Sequence, residues 1–312
     1  MTEPPFAGFD HRPGTQQVLP RRRFLIIRNC HAGVKSVHLV AGVAEALAAR
    51  GAVTRIIETK NAEAVHEALH GATDIDAVIA AGGDGTVRAL ALTLNKMGLA
   101  LPIGLIPAGT GNVLANEVGL ARKPDKLAEL LIGAPARQVQ IMQANGMPFL
   151  LMASSGFDAE VLLRLSMRLK QQIARAAYTL PTLAALTQAV PAPFEVMLDG
   201  AQHWATWAII TNSRTYGGSF TLTKDVSIFD ERLQAVLFSA RTRMGRLKEL
   251  LWLAGGHAER CASVSITTCR RAEILAPRHL PSQIDGDPLG FGPVTIGPGG
   301  RSLHLIVPAD AR

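Results

Sequence analysis

The 312-residue sequence predicts an α/β domain with a parallel sheet and helices on both faces, followed by a β-rich domain. The second part reads as an antiparallel β-sandwich with helical insertions. Three observations carry this. Strand and helix patterns alternate up to about residue 138, the rhythm of a parallel sheet wrapped by helices. Ala77–Ala81 is an unbroken apolar run, as a strand buried on both faces requires. Beyond residue 138, Asn145-Gly146 and Asp199-Gly200 each separate two apolar runs, the pattern of two-residue hairpins.

The elements follow in order. Residues 1–20 are rich in Pro, Gly and polar residues and read as a mobile tail. Phe24–Ile27 is the first strand. Ser36 then offers a cap for a helix with Val37, Val40, Ala44 and Leu47 on one stripe, stopped at Gly51. Val53–Ile57 is the second strand, and Asn61 opens a helix bearing Val65, Ala68 and Leu69. Strand Ala77–Ala81 leads to a helix from Val87 to about Asn95. Strand Ile103–Ile106 and helices near 112–118 and 125–132 complete a domain spanning 21–138. In the second domain, 139–302, Val139–Ala144 pairs with Met147–Ser155 and Phe194–Leu198 with Ala205–Thr211. Leu233–Phe238, Val264–Thr267, Ala272–Leu275, Gln283–Asp285 and Leu303–Val307 are further strands, and 303–312 is a candidate to return to the first domain. Helical insertions fall near 160–188 and 244–254; the helix around Arg246–Leu253, with Trp252, reads as core.

Composition narrows the function classes. Apolar residues are 48% and charged ones 18%, a globular balance. The net charge of +7 points to an anionic partner without naming it. Cys30, Cys261 and Cys269 make no disulfide framework and lack metal-ligand spacing, so a reducing cytoplasm is expected. Arg21-Arg22-Arg23 precedes an apolar run that ends at Ile27, too short for an export signal, and reads as a solvated lead-in. Aromatic residues at 5% and scattered basic residues disfavour nucleic acid.

The chemistry is concentrated in glycine loops at strand ends. Gly82-Gly83-Asp84-Gly85-Thr86 follows a buried strand and precedes a helix, so its N–H groups and the helix N-terminus form an anion cradle. A tight turn is the alternative. Asp84 would repel phosphate unless a metal or hydroxyl donor stands between them. Pro107-Ala108-Gly109-Thr110-Gly111-Asn112 and Asn29-Cys30-His31-Ala32-Gly33 lie at the same sheet edge, where such sheets bind ligands.

In this order the loops resemble the diacylglycerol kinase catalytic-domain family, which includes sphingosine kinases and soluble bacterial lipid kinases. Gly156-Phe157-Asp158-Ala159, Tyr216-Gly217-Gly218, Gly256-His257 and Gln283-Ile284-Asp285-Gly286-Asp287 extend the resemblance over about 22–307. Phosphofructokinases and NAD kinases share Gly-Gly-Asp-Gly, so that string marks only the wider fold group. The resemblance implies ATP in an interdomain cleft, contacted by Asn29, Gly33, Thr59, Gly82, Gly83, Asp84, Gly85, Thr86, Arg88, Gly109, Thr110 and Asn112. It implies Asp287 as general base, with Asp285 as an alternative and Asp84 assisting. The family has Glu where Asp287 stands. It implies Mg²⁺ held by Asp230, where a solvated turn is an equal reading; Glu231 and Gln140 replace the usual Gly and acid. Ala89, Leu92, Thr93 and Val113 also depart from the pattern.

The expected activity is transfer of the ATP γ-phosphoryl group to a lipid hydroxyl, by a cytoplasmic protein making transient contact with the inner membrane face. Basic, Leu-rich 160–188 is one candidate for that contact and an ordinary surface helix the other reading. The alternatives are an impaired nucleotide- or lipid-binding sensor of the same fold and an NAD kinase. Oligomeric state is open, a dimer included.

Overall fold

A computed structural model describes residues 19–30, 34–59, 62–70, 74–109, 111–164, 190–218 and 220–311. Most of the expected tail, Gly33, Thr110 and 165–188 therefore lie outside the described residues.

The first half interleaves strands β1 (Arg23–Asn29), β2 (Val53–Thr59), β3 (Ala77–Gly82) and β4 (Ile103–Pro107) with helices. These helices are α1 (Val34–Ala48), α2 (Ala62–His70), α3 (Asp84–Met97), α4 (Val113–Glu117) and α5 (Pro124–Gly133). The strands are parallel in the order β2-β1-β3-β4. Right-handed crossovers in that order send α1 to one face and α2 and α3 to the other. Accordingly α1 packs on α5, and α2 on α3. The order reverses between β1 and β3, so a crevice opens beyond their carboxyl ends, where Asn29 and Gly82 stand.

The second half contains β5 (Ala136–Ala144), β6 (Met147–Phe149), β7 (Met152–Ser155), α6 (Phe157–Arg164), β8 (Phe194–Leu198), β9 (Ala201–Ala205) and β10 (Trp207–Thr211). There follow β11 (Thr215–Tyr216), β12 (Phe220–Thr221), β13 (Leu233–Phe238), α7 (Arg243–Ala254), β14 (Val264–Cys269) and β15 (Ala272–Leu275). The last strands are β16 (Pro281–Ile284), β17 (Asp287–Phe291) and β18 (Val294–Ile306). An antiparallel six-stranded sheet runs β14-β13-β10-β7-β16-β17. The parallel sheet continues through β18, which pairs with β4 at Leu305↔Ile103, into antiparallel β15-β8-β9. Leu305 of β18 thus lies beside Ile103 of the parallel sheet. Ala208, Ile210 and Leu237 face the core between the sheets. Trp207, Ile209 and Phe238 face the opposite way into the other core, Trp207 stacking on Phe238 with ring centroids 3.9 Å apart.

Several expectations are corrected. Met147–Ser155 is two strands in different sheets, because the N–H groups of Leu150, Leu151 and Met152 go to the Asp285 carboxylate. The partner of Phe194–Leu198 is Ala201–Ala205; the chain then changes sheets at buried Thr206, whose hydroxyl bonds to Phe238 and Ala240 carbonyls. Ser36 lies inside α1 rather than capping it, and the buried stripe is Ser36, Val40, Val43 and Leu47, leaving Val37 exposed. The Arg246–Leu253 helix is not core as a whole: Leu247 and Leu251 are exposed. Arg22 and Arg23 are exposed, as the solvated reading has it, but the arginines leading into β1 are also tethered. Arg21 donates to Leu131 and Ala134 carbonyls, and Arg23 pairs with Asp74 and Asp76. The cysteines form no disulfide, and burial pushes the Cys269 thiol up to about 12.

Candidate active site

Asn29, Thr59, Gly82 and Pro107 end the four parallel strands on one edge. The Gly-Asp-Gly-Thr string is not a loop: α3 begins at Asp84, so Asp84, Gly85 and Thr86 are its first turn, with Gly83 as N-cap. A Cβ on Gly82 would lie 2.8 Å from the Thr86 Cβ, and Asn29 Nδ2 donates to Thr86 Oγ1 at 3.3 Å. Close packing at this helix start therefore demands glycine and leaves α3's amides facing the crevice.

The second glycine loop is held against the first by backbone contact. A Cβ on Gly109 would meet the Gly83 nitrogen at 2.8 Å. Asn112, left-handed at φ 48°, closes its own loop by accepting from the Gly109 N–H at 2.8 Å and donating to its carbonyl at 2.7 Å. Asp84 joins the loops: its oxygens accept from Val113 N–H at 3.0 Å and Leu114 N–H at 2.9 Å. Burial pushes the Asp84 carboxyl up, the two amides pull it back, and the Asp285 charge adds to the rise. In this geometry Asp84 and Asn112 position the cradle.

A buried carboxylate that sequence reasoning missed ties the halves together. Glu117, at the end of α4, accepts from Ser213 Oγ at 2.8 Å, Thr215 N–H at 2.9 Å and Arg214 Nε at 2.9 Å. Asn116 donates to the Gly218 carbonyl. Gly218, at φ 105°, approaches Gly111 so closely that a Cβ would stand 3.3 Å from its carbonyl oxygen. The only sequence signal was an acid at the end of a short, mostly apolar helix.

The acidic turn faces this cradle. Asp285 and Gly286 take φ of 47° and 85° between β16 and β17, the conformation of a two-residue hairpin. The Asp285 side chain is buried, accepting from Leu150, Leu151 and Met152 N–H groups at 2.7, 2.9 and 3.1 Å. Asp287 is exposed. Arg88 of α3 reaches across, one guanidinium nitrogen on Asp287 and the other 3.4 Å from Asp285. Arg88, expected at the nucleotide, thus lies against the acidic turn. Beneath the turn, Gln283 accepts from Gly286 N–H at 2.8 Å and donates to Ser154 Oγ at 2.7 Å. Ser154 bonds in turn to the buried Asp158 at 2.6 Å, which also accepts from Trp207 Nε1 at 3.0 Å. Burial pushes the Asp158 carboxyl up against these donors. Asn212, fully buried beside the Glu117 network, has neither amide atom bonded among the described residues.

Asp230 does not fit a metal centre. It is half exposed and pairs with Arg232 at 2.7 Å, while the Arg137 guanidinium stacks 3.5 Å above the neighbouring Phe229 ring. No three His, Cys, Asp or Glu side chains converge on a metal position among the described residues.

The Arg88 bridge gives a pH-dependent prediction. Burial pushes the Asp285 carboxyl up and the Arg88 charge pulls it down. An acid raised in the folded state contributes stability below its unfolded pKa and loses it as pH rises through the folded value. Arg88→Met enlarges that loss. Thermal melts should therefore show a larger destabilisation at about pH 8 than at about pH 5, on the order of 2 kcal/mol at the higher pH. Equal losses at both would contradict the coupling.

Residues 23–144 match the diacylglycerol kinase catalytic domain, and residues 152–308 match the YegS C-terminal NAD kinase beta sandwich-like domain. A diacylglycerol kinase of Mycobacterium tuberculosis (strain H37Rv) is 31% identical over 263 residues, covering 77% of this chain and 83% of that protein. A diacylglycerol kinase of Bacillus subtilis is 25% identical over 252 residues, covering 80% and 83%. Among solved structures, a diacylglycerol kinase from Bacillus anthracis superimposes with a TM-score of 0.68 at 18% identity, covering 94% of this chain and 99% of that one. The last likeness concerns the fold alone.

Proposed function

Because this chain belongs to the diacylglycerol kinase catalytic-domain family of lipid kinases, we propose that it transfers the γ-phosphoryl group of ATP to a lipid hydroxyl in the cleft between its halves. The observation that supports this most is the bridge from α3 to the acidic turn: Arg88 leaves the helix that starts at the glycine cradle and ends on Asp285 and Asp287. One side chain thus links the helix that begins at the glycine cradle to an exposed carboxylate.

In this reading the first amides of α3, with the glycine loop packed against them, hold the nucleotide phosphates, and Asp84 and Asn112 fix the loops that present them. Asn29 and Thr59 stand at the same edge. Asp287 accepts the proton of the lipid hydroxyl as its oxygen bonds to the γ-phosphorus, and the bond from that phosphorus to the β,γ-bridging oxygen breaks to release ADP. Asp285, enclosed by three amides, shapes the turn that aims Asp287. Mg²⁺ supplied with ATP would neutralise phosphate charge; Asp230, paired with Arg232, is not assigned to hold it. The protein works as a cytoplasmic enzyme visiting the inner membrane face. No helix among the described residues is long and apolar enough to cross a membrane.

Incubation with γ-labelled ATP, Mg²⁺ and separate acceptors (diacylglycerol, a sphingoid base, a monoacylglycerol, NAD) tests this. Label is expected in one or more of the lipids. Label only in NAD, or ATP binding without lipid product, would overturn the reading, the second result favouring an impaired sensor. The pairing of Asp230 with Arg232 is the observation on that side.

A further inference from the structure

The helix α7 is built inside out. At 100° per residue, Arg246, Glu249 and Leu253 share one face, and Met244, Leu247 and Leu251 the opposite one. An ordinary surface helix turns its apolar residues inward. Here the inward face carries an ion pair, Arg246 at 3% exposure and Glu249 at 0%, separated by 3.3 Å. Arg246 also donates to Thr206 Oγ1 at 2.8 Å and lies over the Phe157 and Trp207 rings, while Glu249 accepts from the Ala240 N–H at 2.9 Å. The outward face exposes Met244 at 74%, Leu251 at 65% and Leu247 at 37%. The inner contacts, with the Thr242 cap bonded to Gly245 N–H at 3.1 Å, fix this orientation. Rotating the helix to bury the leucines would carry the Arg246–Glu249 pair out of the interior and break its bonds to Thr206 and Ala240.

The charge around the stripe selects its occupant. Arg241, Arg243 and Lys248 are exposed along its borders, and the only acid between residues 239 and 258 is Glu249, turned inward. A second copy would bring cation against cation across a twofold axis. An anionic bilayer offers negative headgroups to the cations and acyl chains to Met244, Leu247 and Leu251. The helix is also placed for it. Arg246 touches Trp207, whose ring nitrogen bonds to Asp158, and Asp158 supports the acidic turn through Ser154 and Gln283.

We propose that the Met244–Leu247–Leu251 face of α7 docks on anionic lipid membrane and holds the cleft at its surface. This deepens the lipid-kinase reading and rests on it for its purpose, though not for its test. Full-length protein is sedimented with phosphatidylcholine vesicles, with and without phosphatidylglycerol. Wild type is expected to bind only the anionic vesicles. Met244→Gln/Leu251→Gln and, separately, Arg241→Gln/Lys248→Gln should each lower partitioning roughly tenfold or more with unchanged melting temperature. Activity on a short-chain diacylglycerol dissolved below its aggregation point should stay at the wild-type level while activity on vesicles falls. Equal binding by variants and wild type, binding of wild type to both vesicle types alike, or no binding at all would overturn the proposal. So would a dimer that the variants dissociate while still binding vesicles. Loss of vesicle binding in the variants, from a wild type that phosphorylates no lipid, would sustain the surface and sink the kinase reading.

Discussion

Asp287→Asn is expected to lower kcat by about two to four orders of magnitude, the range for loss of a positioned general base, with the melting temperature and nucleotide affinity nearly unchanged. Asp287 is exposed at the mouth of a hairpin turn and contributes no bond to the backbone of the turn. Its neighbour provides the contrast. Asp285→Asn substitutes an amide that cannot accept at its nitrogen, stranding at least one of the three N–H groups of Leu150, Leu151 and Met152. A buried donor so stranded costs about 1–3 kcal/mol. Asp285→Asn should therefore lose stability and activity together. Asp287→Glu, which restores the side-chain length usual in the family, should keep activity. Kinetics and thermal melts on the three variants decide the matter: loss of stability on Asp287→Asn, or full activity of that variant, would remove Asp287 from the role of base.

Gly109→Ala is the second large effect. The added Cβ would sit 2.8 Å from the Gly83 nitrogen and 2.9 Å from Asn112 Oδ1. Neither loop yields readily, since Asn112 is bonded twice to Gly109 and the Val113 and Leu114 amides are bonded to Asp84. Overpacking of this kind costs about 1–3 kcal/mol. If the loops part to relieve it, the cradle opens and nucleotide affinity falls roughly tenfold to a hundredfold. Gly85 is the control. It is helical with no atom within 4 Å of an added Cβ, so Gly85→Ala should hold or raise stability by about 0.5–1 kcal/mol. Titration calorimetry and melts that fail to separate the two glycines would contradict this account of the cradle.

These contrasts mark what the sequence made legible. Strand-helix alternation, the apolar run at 77–81 and the Asn-Gly and Asp-Gly turns are local signals, each set by residues next to one another, and each element exists. The change of sheet at residues 150–151 and at Thr206 was hidden because a strand's pattern does not say which sheet it joins. Asp285, 134 residues away along the chain from Leu151, decides it. Long-range bonds also set the site. Asp84 and Asn112 stood in recognisable motifs, but a motif gives residue type and not the atoms it meets. Their oxygens are occupied by backbone amides of the second glycine loop and its helix. Glu117 carried almost no local signal, since its partners at 213–215 lie across the cleft. In α7 the usual rule, apolar residues inward, misplaced the helix. The rule was defeated by a buried Arg–Glu pair whose partners, Thr206 and Ala240, lie outside the helix.

The most direct test of the central claim is where the γ-phosphoryl group goes. Wild type and Asp287→Asn are each mixed with γ-labelled ATP and diacylglycerol-containing anionic vesicles, and label is followed in the organic extract. The account predicts label in the lipid for wild type, and almost none for Asp287→Asn with ATP bound equally well. Label absent from the lipid in wild type, or equal in the two proteins, would contradict it.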